Sequence, residues 1–220
     1  MSVDLSLYVL VDPAQAKGRS LAEVAVAAAR GGATLIQLRD KSGETRTLVE
    51  EARAIKRALA GSGVPILVND RVDVALTSGA EGVHLGRDDL DPITARRILG
   101  PRAIIGATVR ADADVAALAP GAIDYVCIGG VFATTSKENP DPPIGVNGLA
   151  HLARLVRELM PGMPVGAIAG IDESNAAEVM RAGADGVAVV SAVTAASDPE
   201  AAARRLRAIV DAARPKRGAA

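Results

Sequence analysis

The chain has 220 residues, a length that fits one domain able to bury roughly 70% of its unfolded surface. Its 25 Lys and Arg residues against 26 Asp and Glu residues leave a net charge of −1, so no global field attracts nucleic acid or an anionic membrane. With one Phe, two Tyr and no Trp, it also lacks the aromatic platforms on which single-stranded nucleic acid stacks. A nucleic-acid partner is therefore not expected, and any bound anion needs a local site.

The cysteine and histidine counts exclude two further classes of protein. A single cysteine, Cys127, cannot form an internal disulfide, and two histidines cannot build a multi-histidine metal cage. Residues 1–11 lack the basic segment of an export signal, and no apolar stretch approaches the ~18 residues of a membrane span. We therefore expect a cytoplasmic protein that does not enter a membrane, and the sequence leaves a homo-oligomer open.

Short apolar runs rich in Val, Ile and Leu recur along the chain and are predicted to be strands. They cover residues 7–11, 35–38, 66–68, 83–85, 104–107, 125–128, 165–169 and 187–190. The stretches between them carry apolar residues at helical spacing, which is clearest in residues 48–59 and 149–159. Because the runs lack polar alternation, the sheet is expected to be parallel and covered on both faces.

A Gly-Ala signature precedes every second predicted strand and begins at residues 32, 79, 121 and 183. Glycine tolerates the positive φ angle that ends a helix, and the small residue after it permits a tight turn into the sheet. This spacing predicts an α/β fold with a single (β/α)8 TIM barrel over residues 1–214, followed by a frayed tail at residues 215–220. An open doubly wound sheet is the alternative, but no Gly-x-Gly-x-x-Gly follows the first strand, which disfavours NAD binding.

In such a barrel, the residues after the carboxyl ends of the strands converge at one end, where function is expected. Gln37, Arg39 and Lys41 follow one another at alternate positions of the second strand and the residues after it. Facing inward, they would form an anion clamp suited to a polyphosphate, because Arg supplies a bidentate fork and Lys a mobile charge. The alternative is an exposed charged loop.

Two carboxylates, Asp70 and Asp89, follow the third and fourth strands and could approach each other. Mg²⁺ would relieve their repulsion, because it binds one or two carboxylates together with water and phosphate oxygens. Magnesium pyrophosphate is therefore the predicted ligand. Asp91, which precedes Pro92, is instead typical of a helix N-cap. His84 lies inside an apolar run and is expected to be a packed, hydrogen-bonded side chain rather than a base.

Two further regions are predicted to bind phosphate. Residues 129–145 form a long, glycine-hinged loop whose hydroxyls and lysine can donate to phosphate oxygens and exclude water when the loop closes. Gly170 after the seventh strand, and Ser191 with Ala192 after the eighth, offer backbone N–H groups that suit a singly phosphorylated substrate. Two anion sites imply two substrates. Cys127 is interpreted as a small core residue.

These motifs resemble, in the same order, those of the thiamine-phosphate synthase family. The matching segments are residues 37–41 (QLRDK), 69–70 (ND), 84–89 (HLGRDD), 132–137 (FATTSK), 169–171 (AGI) and 189–191 (VVS). The resemblance implies a (β/α)8 transferase that joins hydroxymethylpyrimidine pyrophosphate to thiazole phosphate, forms thiamine phosphate and releases pyrophosphate with Mg²⁺. Both substrates are small molecules.

The resemblance also implies a role for each matched position. The residues that would contact the pyrimidine pyrophosphate are Gln37, Arg39, Lys41, Asn69, Thr108 and Lys137; those that would contact thiazole phosphate are Thr134, Ser136, Gly170, Ser191 and Ala192. Asp70 and Asp89 would hold Mg²⁺. Arg39, Lys41 and Lys137 would be the catalytic cations, because they would stabilise the charge that develops on departing pyrophosphate.

Five positions depart from the family pattern. Thr108, Ser136, Gly130, Ala169 and Arg87 stand where the family usually has Ser, Thr, Pro, Gly and Gln. The first two keep a hydroxyl, Gly130 is expected to soften the loop hinge, and Arg87 adds a cation beside the metal carboxylates.

A related barrel, the thiazole tautomerase, shares the fold and the thiazole-phosphate site but uses a histidine after the fifth strand, where this chain has Arg110. Without a neutral base at that position, a tautomerase would lack its catalyst. A tautomerase-like enzyme or a non-catalytic barrel that binds thiamine precursors is the alternative function.

Overall fold

The computed structural model describes residues 3–134 and 142–214 and joins the strands of this part of the chain into one closed parallel barrel. The strands are β1 (Leu7–Val11), β2 (Leu35–Leu38), β3 (Ile66–Asn69), β4 (Gly82–Leu85), β5 (Ile104–Val109), β6 (Tyr125–Ile128), β7 (Val165–Ile168) and β8 (Gly186–Val189). The barrel closes because β8 pairs with β1. The predicted (β/α)8 fold is confirmed, and the open doubly wound sheet is wrong.

The helices cover the outside of the barrel. They are α1 (Leu21–Arg30), α2 (Thr45–Ala58), α3 (Val72–Ser78), α4 (Pro92–Leu99), α5 (Asp112–Ala116), α6 (Gly145–Leu159), α7 (Ala176–Arg181), α8 (Ser191–Thr194) and α9 (Pro199–Ala213). No helix in the described part of the chain combines the length and apolarity that crossing a membrane requires. The tail predicted at residues 215–220 lies outside the described residues.

Five strands differ from their predicted bounds: β3 gains Asn69, β4 gains Gly82 and β8 gains Gly186, each of which pairs with a neighbouring strand. Three strand ends also differ, each with a local cause. β5 continues two residues further, because Thr108 and Val109 pair with β6. β7 ends one residue earlier, because Ala169 takes a φ of 90°, which no strand accommodates. β8 ends at Val189, because Val190 turns the chain directly into α8.

Alternate residues of each strand enter two separate apolar layers. Along β1, for example, Leu7 and Val9 pack in the layer between the strands and the helices, whereas Tyr8 and Leu10 pack inside the barrel. Both faces of the sheet are therefore buried, which explains why the apolar runs show no polar alternation.

The Gly-Ala signature marks a hydrogen-bonded junction at the amino end of the barrel. The residue just before each even-numbered strand accepts the backbone N–H at the beginning of the preceding odd-numbered strand: Thr34 from Leu7 (3.2 Å), Glu81 from Ile66 (2.9 Å), Asp124 from Ile105 (2.7 Å) and Asp185 from Val165 (2.9 Å). The glycines of the signature have φ angles of 73° to 107°. The repeat therefore satisfies strand N–H groups that the sheet itself leaves unpaired.

The three acidic junctions also receive a cation from the helix that precedes the odd-numbered strand of each pair. Lys56 of α2 pairs with Glu81, Arg96 of α4 with Asp124 at 2.6 Å, and Arg157 of α6 with Asp185 at 3.0 Å. Each pair links a helix to the strand junction beneath it, so the same sequence signature fixes both the sheet and its covering helix.

Replacing Gly186 with Ala tests the close approach at the amino end of β8. A Cβ there would lie 1.7 Å from the carbonyl oxygen of Leu5, and backbone atoms cannot move away cheaply. We expect Gly186→Ala to lower the free energy of unfolding by about 3 kcal/mol. The matched control is Gly166→Ala in β7, whose Cβ would meet Leu5 only at 3.4 Å. Urea denaturation measures both; equal losses would contradict the steric explanation.

Candidate active site

Two adjoining cavities open at the carboxyl end of the barrel. The larger has a volume of about 590 Å³ and lies over the barrel interior; the smaller has about 470 Å³ and lies beside the ends of β7 and β8. Residues that line both are Thr134, Ile168, Ala169 and Val190. Molecules bound in the two cavities would therefore meet across this common wall.

Most of the residues predicted to bind the pyrimidine pyrophosphate line the larger cavity. Those brought together there are Gln37, Lys41, Asn69, Asp70, Asp89 and Thr108, while Thr134 lies on the common wall. Gly170, Ser191 and Ala192 line the smaller cavity, as predicted for a second anion site. Ser136 and Lys137 lie outside the described residues, so their roles stay predictions.

Arg39 is the exception among the described residues of the predicted anion clamp. Its guanidinium donates to the carboxylate of Asp12 on β1's carboxyl end, and the two side chains are only 13% and 4% exposed. Arg39 lines neither of the two cavities. To contact a ligand in the larger cavity it would have to leave or share Asp12, so its predicted catalytic role stays a prediction.

Asp70 and Asp89 approach each other as the sequence predicted. Burial raises the pKa of Asp89, and a hydrogen bond between its carboxyl group and that of Asp70 raises it further; the Gly86 N–H, which donates to Asp89 Oδ2 at 2.7 Å, acts in the opposite direction. Lys41 donates to Asp70 from the other side. The carboxylates therefore hold negative charge in close proximity with one lysine to offset it.

These donors fit a hard divalent cation. Two carboxylates that repel each other supply the oxygen ligands that Mg²⁺ prefers, and such sites keep water or substrate phosphate in the other positions. Within the described residues, no group of three or more His, Cys, Asp or Glu side chains could hold a metal ion by itself. A cation here would thus need ligands from water or from a phosphorylated substrate.

The backbone at Asp70 is held in an uncommon conformation. Its φ angle is 61°, and its N–H donates to the carbonyl of His84 at 2.9 Å. The residues on either side of it are also bonded to each other, because the Arg71 N–H donates to the Asn69 carbonyl at 2.7 Å. Non-glycine residues in this region cost on the order of 1–3 kcal/mol and persist where the surroundings fix them. The strain aims the Asp70 carboxylate toward Asp89 and Lys41.

The neighbouring polar residues have the structural roles that the sequence predicted. Asp91 caps α4 by accepting the Thr94 N–H at 2.9 Å. His84 is hydrogen-bonded through both ring nitrogens, to Tyr125 at 2.9 Å and to Thr108 at 2.8 Å. Cys127 is a buried core residue, and burial raises the pKa of its thiol to about 12, which keeps it unreactive.

Arg87 is held at the edge of the larger cavity by a residue that sequence reasoning missed. Its Nε lies 3.1 Å from Oδ1 of Asp114, whose Oδ2 accepts the backbone N–H groups of Arg110 and Ala111 at 2.8 and 3.0 Å. The tertiary structure alone shows this pairing, because it brings α5 close to the loop that follows β4. Arg87 therefore lines the same cavity as Lys41 and the two carboxylates, with its charge paired to Asp114.

The long loop after β6 is tied to its neighbours at both ends of its base. The Val131 and Phe132 N–H groups donate to the carbonyls of Ile168 and Ala169 at 3.2 and 3.0 Å, and the Ile144 N–H donates to the Gly130 carbonyl at 2.9 Å. A Cβ at Gly170 would lie 2.4 Å from the Ala133 carbonyl oxygen. Glycine at this position therefore lets the loop pack against the smaller cavity.

Gly130, at the base of this loop, has a φ of 72°. Proline is locked near −65°, so the residue usual in the family could not adopt this backbone. A Cβ at Gly130 would also lie 2.6 Å from a guanidinium nitrogen of Arg110. The departure from the family pattern thus allows close packing of the hinge against β5.

Sequence reasoning also missed Tyr8 and Tyr125, which lie in the barrel interior next to Gln37 and His84. The signal was present: they are the only two tyrosines in a chain with one Phe and no Trp, and both stand in predicted apolar strands. Asp12, the partner of Arg39, carried no comparable signal.

Comparison with known proteins matches this site to a family. The family model described as thiamine monophosphate synthase matches residues 7–193, which include every strand of the barrel. The chain belongs to this family. A thiamine-phosphate synthase of Agrobacterium fabrum is 56% identical over 213 residues, with 96% of each chain covered. One from Chloroflexus aurantiacus is 46% identical over 214 residues, covering 97% of this chain and 96% of its own.

A solved structure agrees with both the fold and the family. The thiamine phosphate pyrophosphorylase from Pyrococcus furiosus superposes with a TM-score of 0.83 at 36% identity, covering 96% of this chain and 98% of that one. The family predicted from the motifs is confirmed, and with it the predicted thiamine-phosphate synthase function and transferase class. Neither the tautomerase nor the non-catalytic alternative is favoured.

Asp89→Asn tests the electrostatic cost of the paired carboxylates. Because the pKa of Asp89 is raised above 3.8 in the folded protein, its ionisation opposes folding, and this penalty develops as pH rises through the raised pKa. We expect the variant to melt at a higher temperature than the wild type in metal-free buffer at pH 7, with the advantage shrinking toward pH 3.8. Thermal melts across pH, with and without MgCl2, measure this; an advantage that does not change with pH would contradict it.

Ala169→Gly tests backbone strain on the wall that the two cavities share. Ala169 has a φ of 90°, which costs an L-residue on the order of 1–2 kcal/mol, whereas glycine adopts it freely but loses up to ~1 kcal/mol through chain entropy. We therefore expect the variant to gain up to about 1 kcal/mol of unfolding free energy. Ala167→Gly, in the regular part of β7, is the control and should lose stability. Urea denaturation measures both.

Proposed function

We propose that the protein joins hydroxymethylpyrimidine pyrophosphate to thiazole phosphate, with Mg²⁺ assisting the release of pyrophosphate. The observation that carries this proposal is the common wall of the two cavities, because it lets two different phosphorylated ligands meet. The larger cavity offers carboxylates and cations, whereas the smaller offers backbone groups of Gly170, Ser191 and Ala192. This division suits one metal-bound polyphosphate and one simple phosphate.

In the larger cavity, Asp70 and Asp89 would hold the metal ion, and Lys41 would contact the pyrophosphate. When bound, Mg²⁺ would neutralise charge on the leaving pyrophosphate. Lys41, already beside Asp70, is placed to exchange its carboxylate partner for a phosphate oxygen. Lys137 and Arg39 would add to this field, the latter by leaving or sharing Asp12.

In the smaller cavity, the chain would bind thiazole phosphate through short backbone segments. Gly170, Ser191 and Ala192 line this cavity, and the absence of a side chain at Gly170 lets the loop after β6 pack beside it. Thr134 lines both cavities and is therefore placed to contact either ligand. Ser136 is proposed as a further phosphate contact from the same loop.

The reaction needs positioning rather than a protein nucleophile. The bond between the pyrimidine methylene and the pyrophosphate oxygen breaks, the electron pair leaves with pyrophosphate, and the aminopyrimidine carries the positive charge. The thiazole nitrogen then donates its lone pair to the methylene carbon. The buried, protonated thiol of Cys127 is unsuited to attack, so the protein's tasks are orientation, charge stabilisation and exclusion of water.

A cytoplasmic location and a homo-oligomeric state stay predictions, as does the identity of the metal. The single cysteine, buried in β6, is compatible with a reducing compartment.

The proposed function is tested by pyrophosphate release from a mixture of the protein, hydroxymethylpyrimidine pyrophosphate, thiazole phosphate and MgCl2. We expect release only when every component is present, together with an equal amount of thiamine phosphate. Release without the thiazole would indicate a hydrolase, and binding of thiazole phosphate without release would support a sensor or a tautomerase.

Variants make this assay specific to the site. Asp70→Asn should lower kcat/KM by a factor on the order of 10²–10³, a loss that excess MgCl2 partly restores if the carboxylate holds the metal. Asp211→Asn, in an exposed ion pair with Arg207 on α9, is the matched control and should not change activity. An unchanged magnesium dependence in Asp70→Asn would remove Asp70 from the proposed metal site.

A further inference from the structure

Five polar side chains from five strands form a continuous hydrogen-bonded chain at the floor of the larger cavity, here called the interior relay; all of them except Tyr125 line the cavity. Gln37 donates through Nε2 to the Tyr8 hydroxyl, which lies 3.0 Å from the Tyr125 hydroxyl. Tyr125 lies 2.9 Å from Nδ1 of His84, whose Nε2 lies 2.8 Å from the hydroxyl of Thr108. Gln37, Tyr8 and Tyr125 are at most 2% exposed, so water cannot replace these bonds.

With the Gln37 amide nitrogen facing Tyr8, the interior relay has one direction that satisfies every buried donor in it. The Gln37 amide nitrogen can only donate, so the Tyr8 oxygen accepts there and its own hydrogen must go to Tyr125. Burial raises the pKa of both phenols, so each keeps its single hydrogen. If Tyr125 donated to Tyr8 instead, the Tyr8 hydrogen would be buried without an acceptor, which is unfavourable.

This direction determines the tautomer of His84. Because Tyr125 accepts the hydrogen of Tyr8, it donates its own hydrogen to Nδ1 of His84. Nδ1 must then be unprotonated. The imidazole therefore carries its proton on Nε2 and donates it to the oxygen of Thr108. The hydrogen of the Thr108 hydroxyl is left to be donated to another group.

The two ends of the interior relay offer opposite groups to a ligand. Oε1 of Gln37 is buried and has no hydrogen-bond partner among the described residues. At the other end, the only hydrogen bond that the structure shows for Thr108 within those residues is the one with His84. Both residues line the larger cavity. One end is thus an acceptor in need of a donor, and the other is a donor in need of an acceptor.

We propose that Tyr8 and Tyr125 are positioning residues that fix this polarity and thereby select an aminopyrimidine over an oxopyrimidine. An aminopyrimidine presents an exocyclic N–H donor for Gln37 and a ring-nitrogen acceptor for Thr108, whereas an oxo group in place of the amino group would face Gln37 as a second acceptor. The inference rests on the proposed function for the identity of the ligand. It goes beyond the proposed function because it assigns specificity to two buried tyrosines, one at the floor of the cavity and one outside its lining.

The packing of the barrel interior supports a role beyond stability. Gly106 makes room for the Tyr125 ring, because a Cβ there would lie 2.0 Å from Cζ of the tyrosine. An apolar interior would need neither a glycine at position 106 nor a buried Gln37 oxygen without a hydrogen-bond donor. That oxygen costs free energy until a ligand supplies a donor. The interior relay therefore stabilises the bound state more than the empty one.

The tautomer of His84 is the first test, and it does not depend on activity. We would record ¹⁵N NMR spectra of the ligand-free protein in a His151→Gln background, which leaves His84 as the only histidine; His151 is exposed and pairs with Asp112. We expect a neutral ring with the proton on Nε2, and a mixture of tautomers in Tyr125→Phe. A proton on Nδ1 would overturn the proposed direction.

The second test compares substrate selection in Tyr8→Phe and Tyr125→Phe. We expect KM for the aminopyrimidine pyrophosphate to rise about tenfold, the equivalent of one weakened hydrogen bond, with kcat and the KM for thiazole phosphate changed less than about threefold. The preference for the amino over the oxo analogue, measured as the ratio of dissociation constants by calorimetry, should fall by a similar factor. Leu67→Val, in the same interior cluster, is the control for destabilisation alone.

The outcomes separate this inference from the proposed function. If the wild type releases no pyrophosphate, the proposed function fails, but calorimetry and the tautomer still decide whether the interior relay selects an amino group. Suppose instead that the wild type is active. If either tyrosine variant then keeps the full preference for the amino analogue, or if Leu67→Val loses as much of that preference, the positioning role is wrong and the proposed function stands.

Discussion

Closure of the parallel sheet is the constraint on which the rest of the structure depends. A closed barrel must satisfy the backbone groups at its amino end and fill an interior too narrow for water. Here a fourfold repeat performs the first task, because the residue before each even-numbered strand accepts an N–H from the odd-numbered strand before it. Three of these four residues also pair with a cation on the covering helix. Stability is thus concentrated at the end of the barrel opposite the cavities.

The carboxyl end shows the opposite balance. Asp70 and Ala169 are held at positive φ, and the closely placed carboxyl groups of Asp70 and Asp89 repel each other when both are ionised. A rigid scaffold can hold such unfavourable features where ligands later compensate for them. The strained residues border the two cavities, where the proposed cation would offset the repulsion between the two carboxylates. This arrangement accounts for why the same barrel is regular at one end and irregular at the other.

The barrel interior at the floor of the larger cavity is held by hydrogen bonds across the strands as well as by apolar packing. At the floor of the larger cavity, Tyr8 and Tyr125 lie between Gln37 and His84, so the orientation of groups that line the cavity depends in part on Tyr125, which does not line it. The wall between the cavities is built differently, from Ile168, Ala169 and Val190 with Thr134 of the β6 loop. The floor of the larger cavity is therefore polar, whereas the wall that it shares with the smaller cavity is mostly apolar.

The sequence by itself determined the fold, the family and the composition of the site. Apolar runs of strand length, the Gly-Ala repeat and polar residues after successive strands are local features, and the barrel geometry brings their ends together without further information. The sequence therefore predicted that the carboxyl groups of Asp70 and Asp89 would lie close together. Only the tertiary structure decided the partners of long side chains: that Arg39 bonds to Asp12, that Asp114 holds Arg87, and that two tyrosines 117 residues apart join Gln37 to His84. Such contacts depend on which rotamers and neighbouring strands meet in space, and sequence spacing does not encode that.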